Sequence, residues 1–439
     1  MNDRSIFQVF LKYVSLNILG QIAFSCYTMA DTFFVSASLG ADGITALNLA
    51  FPVFCLINGI GLMIGMGGGT RYSILKSRGD QGRMDRIFTT AVCMAGCAAA
   101  VFMLAGGFFS GALAEALGAD ETVFSMTNTY LKVMLLFAPA FLFNHLLQCF
   151  VRNDGAPSLS MAAMVVGSFS NIVLDYIFIF PMNMGIFGAI FATGLAPVIS
   201  MTVLSSYFFR KKNGFRLTRS QPSERAALEI ISSGVPPFVT EVTSGVVMFL
   251  FNFIILGLEG NTGVAAFSII TVISLVVVAM YTGLSQGIQP VISLNHGAGE
   301  PAKVRAVLKY AMITVLLMSS VIYSVIFFGA DQLTSIFNSE GNEALQALAV
   351  TGMKLYFLAC PFIGFNIVTA IYFTSTERPL PGQIISLLRG FIVLVPVAFL
   401  LSTALKMAGV WCSYPVTECT VTLISAALYF LMERSGRLG

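Results

Sequence analysis

With 439 residues, 56% of them apolar and 10% charged, this chain has too few charges to cover a water-soluble body of its size. An ordinary soluble enzyme or nucleic-acid-binding domain is excluded, and the net charge of +3 does not revive the second, because membrane topology accounts for the basic residues. Apolar runs of about 20 residues or more recur from end to end, the length a helix needs to cross hydrocarbon. The expected class is an all-α membrane protein.

The start, MNDRSIFQVFLKYVS, has no small-residue cleavage site and its first apolar run leads straight into Asp31, so no secretory signal is expected. Breaks at charge clusters and at Gly, Pro and Asn divide the chain into twelve predicted spans, at about 12–38, 44–75, 86–110, 122–150, 158–181, 186–210, 230–258, 262–294, 303–330, 345–374, 383–405 and 409–432. Loops then alternate sides. One side has both termini and the loops after even-numbered spans, and it holds 19 of the 24 Lys and Arg. Among these are Lys76, Arg78, Arg83, Arg86 and the cluster Arg210, Lys211, Lys212, Arg216 and Arg219. The other side holds one base, Lys406, and eight acids, including Glu115, Asp120, Glu121, Glu340 and Glu343. Positive loops stay in the cytoplasm, which places both termini there.

The chain also matches itself at an offset near 220. TYLKVMLLFAPAFLFN (129–144) aligns without gaps on TGMKLYFLACPFIGFN (351–366), pairing Lys132 with Lys354, Pro139 with Pro361 and Asn144 with Asn366. Gly43, Gly67 and Gly79 fall on Gly263, Gly287 and Gly299, and Pro157 falls on Pro379. Six spans per half is an even number, so both halves insert the same way as a parallel repeat. The expected division is an N-terminal six-helix lobe at 1–210, a cytoplasmic linker at 211–229 and a C-terminal six-helix lobe at 230–439. Two like bundles able to rock about a central cleft are what a transporter needs.

Ionisable groups within a bilayer need a partner or a purpose. Asp31, Asp175, Glu241 and Glu418 fall inside spans, as do Arg71, Lys132, Lys354 and Arg389. Arg71 and Arg389 are expected to snorkel or to pair at helix ends, and Lys132 and Lys354 to snorkel or cap carbonyls. Asn171 and Asp175, in NIVLDYIF, lie one helical turn apart and share a face, an oxygen-donor pair suited to a proton or a hard cation. Neither they nor Asp31 has a basic neighbour in sequence, and a carboxylate left unpaired in low dielectric favours binding a proton. Glu241 reads evenly as functional or structural, and Glu418 as structural. GMGGGT (65–70) lacks the Lys-Ser/Thr of a phosphate loop and reads as close helix packing. The eight cysteines fall in apolar runs, with neither metal-ligand spacing nor reason for disulfides. With two histidines and no nucleotide loop there is no convergent catalytic set, so no enzyme is expected.

Several stretches together carry a family resemblance. They are MADTFFVSASLGADGITALNLAFPVF (29–54), LQCFVRNDGAPSLSM (147–161), NIVLDYIFIF (171–180), GIFGAIFATG (185–194), VPPFVTEVTSG (235–245), GLSQGIQPVISLNHGAGE (283–300) and GVWCSYPVTE (409–418). The chain resembles the MATE family, the multidrug and toxic compound extrusion transporters, in the bacterial branch that includes the DNA-damage-inducible and MepA-type exporters. The resemblance implies twelve transmembrane helices in two pseudo-symmetric six-helix lobes arranged as a V, in the inner membrane of a bacterium. It implies antiport of amphipathic, mostly cationic organic compounds against protons or sodium, with no cofactor beyond the coupling ion. Asp31, Asn171, Asp175 and Thr193 match the family's cation site, where sodium is an alternative to the proton. Glu241 matches an acid that many members place in the second lobe. Span ten lacks a carboxylate, which departs from part of the family and puts the coupling site in the first lobe. A lipid-linked or oligosaccharide flippase of the same superfamily is the alternative reading. The bilayer and small-molecule substrates are the expected partners, nucleic acid is not, and two fused halves are expected to work as a monomer.

Overall fold

A computed structural model describes residues 3–219, 222–338 and 341–434, so Glu340 and positions 220–221 of the expected linker lie outside the described residues. Helices make up nearly all of the described chain, and no strand occurs among the described residues. Eight of them are long and apolar enough to cross a membrane, and the pair Phe124–Leu136 and Ala138–Asn153, bent by 46°, forms a ninth. Three long helices are two crossings joined end to end. Asp3–Ser77 breaks at Gly40, Glu224–Gly297 at Gly260 and Leu394–Arg434 at Lys406. Counting those breaks gives the twelve expected spans.

The helix ends follow from local chemistry. Asp80 accepts from the Arg83 amide at 3.1 Å to start the helix at Gln81, Ser223 accepts from Ala226 N, and Asn342 accepts from Leu345 N. Pro157, Pro301 and Pro379 open helices, where a missing N–H costs nothing. The paired prolines Pro139 and Pro361 fall at the second residue of the helices that follow a break in spans four and ten. A proline cannot donate to the preceding turn, so the two crossings are interrupted at matched places, span four by the 46° bend and span ten by a 3-10 turn at Phe357–Ala359.

The duplication reaches the backbone. Gly40 (φ 62°, ψ −147°) and Gly260 (φ 60°, ψ −149°) turn the chain between the first two spans of each half with nearly the same dihedrals. The remaining turns of the first half, at Gly79, Gly118, Gly155 and Gly185, have positive φ, as do Gly299, Gly341, Glu377 and Lys406 at the corresponding places of the second. Lys406 (φ 53°, ψ −133°) occupies a region that only glycine enters freely. Lys406→Gly is therefore expected to raise stability by ~1–2 kcal/mol, read as a later thermal unfolding transition in detergent. An unchanged or earlier transition would show that the lysine's backbone is relaxed.

The helices cluster into two compact units. One comprises Ser15–Val242 with Ser293–Gly299, and the other Met1–Val14, Thr243–Ile292 and Glu300–Gly439. These bounds differ from a division at 1–210 and 230–439, because each unit takes in a helix segment from the other half of the sequence. In the first unit a methyl on Gly67 would collide with the Ile230 carbonyl oxygen, and one on Gly234 with that of Met63. Glycine on both sides lets spans two and seven touch backbone to backbone. In the second unit Gly287, the partner of Gly67 in the repeat, admits Val14 in the same way, its Cβ position lying 2.7 Å from the Val14 Cα. The GMGGGT run is thus packing surface, with Gly68 under the Phe150 ring and Gly69 against the Asn153 side chain.

The expected linker is not a free tether. Residues 210–219 lie as a strap along the first unit, and a helix has resumed at Glu224. Asp154, its side chain 2% exposed, accepts from the Gly214 amide at 2.6 Å, from Tyr72 Oη at 2.6 Å and from Tyr207 Oη at 2.9 Å, and pairs with Lys76. Gln81 donates to the Gly214 carbonyl at 2.7 Å, Asp85 accepts from the Arg216 amide at 2.9 Å, and Thr89 Oγ1 accepts from the Thr218 amide at 3.1 Å. Phe215 is fully buried among Tyr72, Phe88, Phe150 and Phe208, with ring centroids 4.5–5.7 Å away.

Candidate functional site

Spans five (Pro157–Ile179) and six (Gly185–Phe209) pack side by side in the first unit. Small residues make the approach possible. A Cβ on Gly167 would stand 3.1 Å from the Ala196 carbonyl oxygen, and one on Gly188 would stand 3.0 Å from the Phe178 Cβ. The pairing brings Thr193 to the face that carries Asn171 and Asp175. Asn171 and Asp175 are fully buried, and Thr193 and Asp31 are 3% and 6% exposed.

Asn171 sits between the other two residues of the pair. With its carboxamide oriented to satisfy both ends, its nitrogen donates to Asp175 Oδ2 at 2.9 Å and its oxygen accepts from the Thr193 amide at 3.2 Å. The Thr193 hydroxyl donates to the Ala189 carbonyl at 3.1 Å, which leaves its lone pairs to the site. Asp31, on span one, lies within electrostatic reach of Asp175. Among the described residues, Asp31 Oδ1 and Asp175 Oδ1 have no hydrogen-bond partner, and no base pairs with either carboxylate. Two like-charged groups held close in a low-dielectric bundle repel unless a cation joins them. Hydrogen bonds thus join three of the residues expected from the sequence, Asn171, Asp175 and Thr193, and the fourth, Asp31, lies within electrostatic reach of Asp175.

Glu241 is not part of this group. It lies on span seven with its Cβ 3.5 Å from the place a Cβ on Gly59 would take, and among the described residues it makes no hydrogen bond to the four. The helix segment that carries it, up to Val242, belongs to the first unit and not to the remainder of its own half.

Sequence reading missed the site's companions. Tyr27 and Tyr130, 6% and 5% exposed, stand near enough to Asp31 and Asp175 to feel both charges, and Tyr27 also feels Glu241. Tyr27 precedes Asp31 by one turn, so the same-face rule that joined Asn171 to Asp175 would have found it. His145 Nε2 lies 2.8 Å from Asn58 Oδ1 between spans two and four, and Gln148 Nε2 donates to Ser200 Oγ at 3.2 Å. Those contacts join distant segments and leave no periodic signal.

The second half does not repeat the site. Counted from the paired prolines Pro157 and Pro379, Gly167 corresponds to Arg389; counted from Pro197 and Pro415, Ser200 corresponds to Glu418. Where the first half packs Gly167 against the Ser200 Cβ at 3.1 Å, the second half has a buried ion pair. Arg389 Nε and Nη2 donate to Glu418 Oε1 at 3.0 and 2.7 Å, and Asn366 donates to Glu418 Oε2 at 2.7 Å. Arg389 lies in a single π-helical turn, Leu388–Ile392. It does not snorkel. At 7% exposure it is held inside the bundle by an acid 29 residues away, and Glu418 plays the structural part expected of it. Lys354 places its ammonium 5.2 Å from the Phe327 ring centroid, and Arg71 lies 3.9 Å from Glu229.

The fold and this site define a duplicated, multi-pass helical membrane protein with a carboxylate cluster buried in one of its two units. The MatE family model matches residues 17–177 and 236–400, and the chain belongs to that family. It is 25% identical over 431 residues to the multidrug export protein MepA of Staphylococcus saprophyticus, covering 98% of this chain and 94% of that protein. The Staphylococcus aureus protein of the same name is 24% identical over 430 residues, with the same shares covered. A transporter of the MOP superfamily from Pyrococcus furiosus superposes with a TM-score of 0.91, and an outward-facing MATE family transporter with 0.90. Each of those two is 21% identical and covers 98% of this chain and 96% of its own, a likeness of fold.

Proposed function

We propose that this protein is a cation-coupled exporter of small amphipathic organic compounds, mostly cations, acting by antiport. It works as a monomer in the inner membrane of a bacterium with both termini in the cytoplasm. One observation carries the reading: Asp31 and Asp175 are both buried, within electrostatic reach of each other, and each has an oxygen that no described residue satisfies. The contrast with Glu418 and Asp154, which are matched by Arg389 and Lys76, is what marks the pair. A buried carboxylate without a partner is costly to keep, and binding a cation relieves the cost.

A proton or sodium ion entering the cluster finds Asp31 and Asp175 as anionic oxygens and Asn171 and Thr193 as neutral ones. Neutralisation removes the repulsion between the carboxylates and lets span one repack at Asp31. A ligand that binds one packing better than the other is driven outward as the cation is driven inward, because a ligand shifts an equilibrium only by its differential affinity. The 39 Phe and 21 Met of the chain offer apolar surface that suits varied apolar ligands, and a carboxylate suits a positive charge. Multidrug export by the staphylococcal relatives supports small organic compounds as the substrate class. Oxygen donors of this kind serve protons and sodium alike.

The test is ethidium efflux from cells expressing the protein, with proton and sodium gradients imposed separately. Efflux is expected to follow one gradient and to vanish in Asp31→Asn at equal expression. Undiminished efflux in Asp31→Asn and Asp175→Asn alike would overturn the proposal.

A further inference from the structure

The strap at 210–219 has a second face, and its chemistry is unlike that of a tether. The inner face is fixed to the first unit by Phe215, by the amides of Gly214, Arg216 and Thr218, and by the Gly214 carbonyl. The outer face carries Arg210, Lys211, Lys212, Arg216 and Arg219, all exposed. Among the described residues none of these five forms an ion pair, although Asp85 is close enough to bind the Arg216 backbone. Two large apolar side chains are exposed in the same stretch, Phe209 at 84% and Leu217 at 65%.

Span six ends at Phe209, so the bases begin where the apolar crossing stops. Topology needs positive charges on this side but does not need them on a backbone held at four points. A soluble anion would have no use for the exposed Phe and Leu. Bases alternating with exposed apolar side chains at the end of a span fit a surface that is anionic above and hydrocarbon below.

The geometry points to the strap as a binding site for anionic phospholipid headgroups of the adjoining leaflet. Phe215 and Asp154 fix its register, the five bases bind phosphates, and Phe209 and Leu217 enter the acyl boundary. Pinning matters because an ordered platform places the charges together without ordering them anew for each lipid.

The experiment reconstitutes the full-length protein in phosphatidylcholine bilayers holding a small fraction of spin-labelled phosphatidylglycerol or spin-labelled phosphatidylcholine. The immobilised signal of each label is then compared. The wild type is expected to enrich the anionic label about threefold or more, and the preference should fall in about 1 M NaCl, where the screening length is about 3 Å. Replacing all five bases by Gln is expected to bring the ratio to that of a neutral protein. Phe215→Ala keeps every charge and is expected to lose at least half of the preference, which separates a built site from diffuse attraction. No preference in the wild type, a preference that survives the five substitutions, or one untouched by Phe215→Ala would each overturn the proposal. Inorganic phosphate added at matched ionic strength is expected to leave the ratio unchanged; abolition of the preference would assign the bases to a soluble anion instead.

Discussion

Asp175→Asn is expected to abolish gradient-driven efflux while leaving the folded protein as stable as the wild type or more so. The two halves of that outcome come from one fact. Asp175 is fully buried, one of its oxygens accepts from Asn171, and the other has no partner among the described residues. An asparagine keeps the shape and an oxygen for Asn171, but it has no charge to neutralise and nothing to bind a proton. The loss of coupled transport should be at least tenfold, because a coupling step without its ion does not proceed slowly but fails. Stability should move the other way, since the substitution removes a buried charge that has no counter-ion. Efflux under each imposed gradient and thermal unfolding of the purified protein check the two parts separately. A variant that transports normally would remove Asp175 from the coupling step. One that unfolds much earlier would make its role structural.

Glu418 should behave in the opposite way. Glu418→Gln leaves the Arg389 guanidinium buried with neutral partners, and breaking a buried pair from one side costs about 3–5 kcal/mol. A loss of that size should show as a much lower unfolding temperature and reduced accumulation in the membrane. Arg389→Gln should cost about as much, because the carboxylate then loses two charge-assisted hydrogen bonds. Replacing both by apolar residues of similar volume should recover most of the loss, since the pair's attraction and its desolvation nearly cancel. If Glu418→Gln and the double replacement are equally unstable, packing and not charge decides the site. Comparison of the two carboxylates gives a sharp rule for this bundle: the acid with a partner stabilises, and the acid without one is free to titrate or bind.

Much of this was legible in the sequence because it is periodic or repeated. The twelve crossings follow from apolar length, and the breaks at Gly40 and Gly260 fall in the gaps expected at 39–43 and 259–261. Asn171 and Asp175 shared a face at four-residue spacing, Asp31 stood out as an acid inside a span with no basic neighbour, and the resemblance supplied Thr193. What stayed hidden depends on residues far apart in the chain. The stretch from Arg210 to Arg219 reads as a polar linker because only one of its residues, Phe215, is aromatic, and its cage is drawn from Tyr72, Phe88, Phe150 and Phe208. Arg389 and Glu418 sit on different spans, and nothing in either local pattern names the other. Asp154 lies just past the end of its helix, where an acid is unremarked, yet four groups converge on it.

The exchange of helix segments between the units also fixes an order of events during synthesis. The first unit needs Ser293–Gly299 as well as Ser15–Val242, and the second needs the residues up to Val14. Six spans can therefore enter the bilayer long before the first unit is complete, since the last segment it requires leaves the ribosome only after residue 293. The residues up to Val14 are made well before Thr243–Ile292 and wait for those partners. A chain that stalls midway exposes glycine-lined backbone at Gly67 with no span seven to cover it.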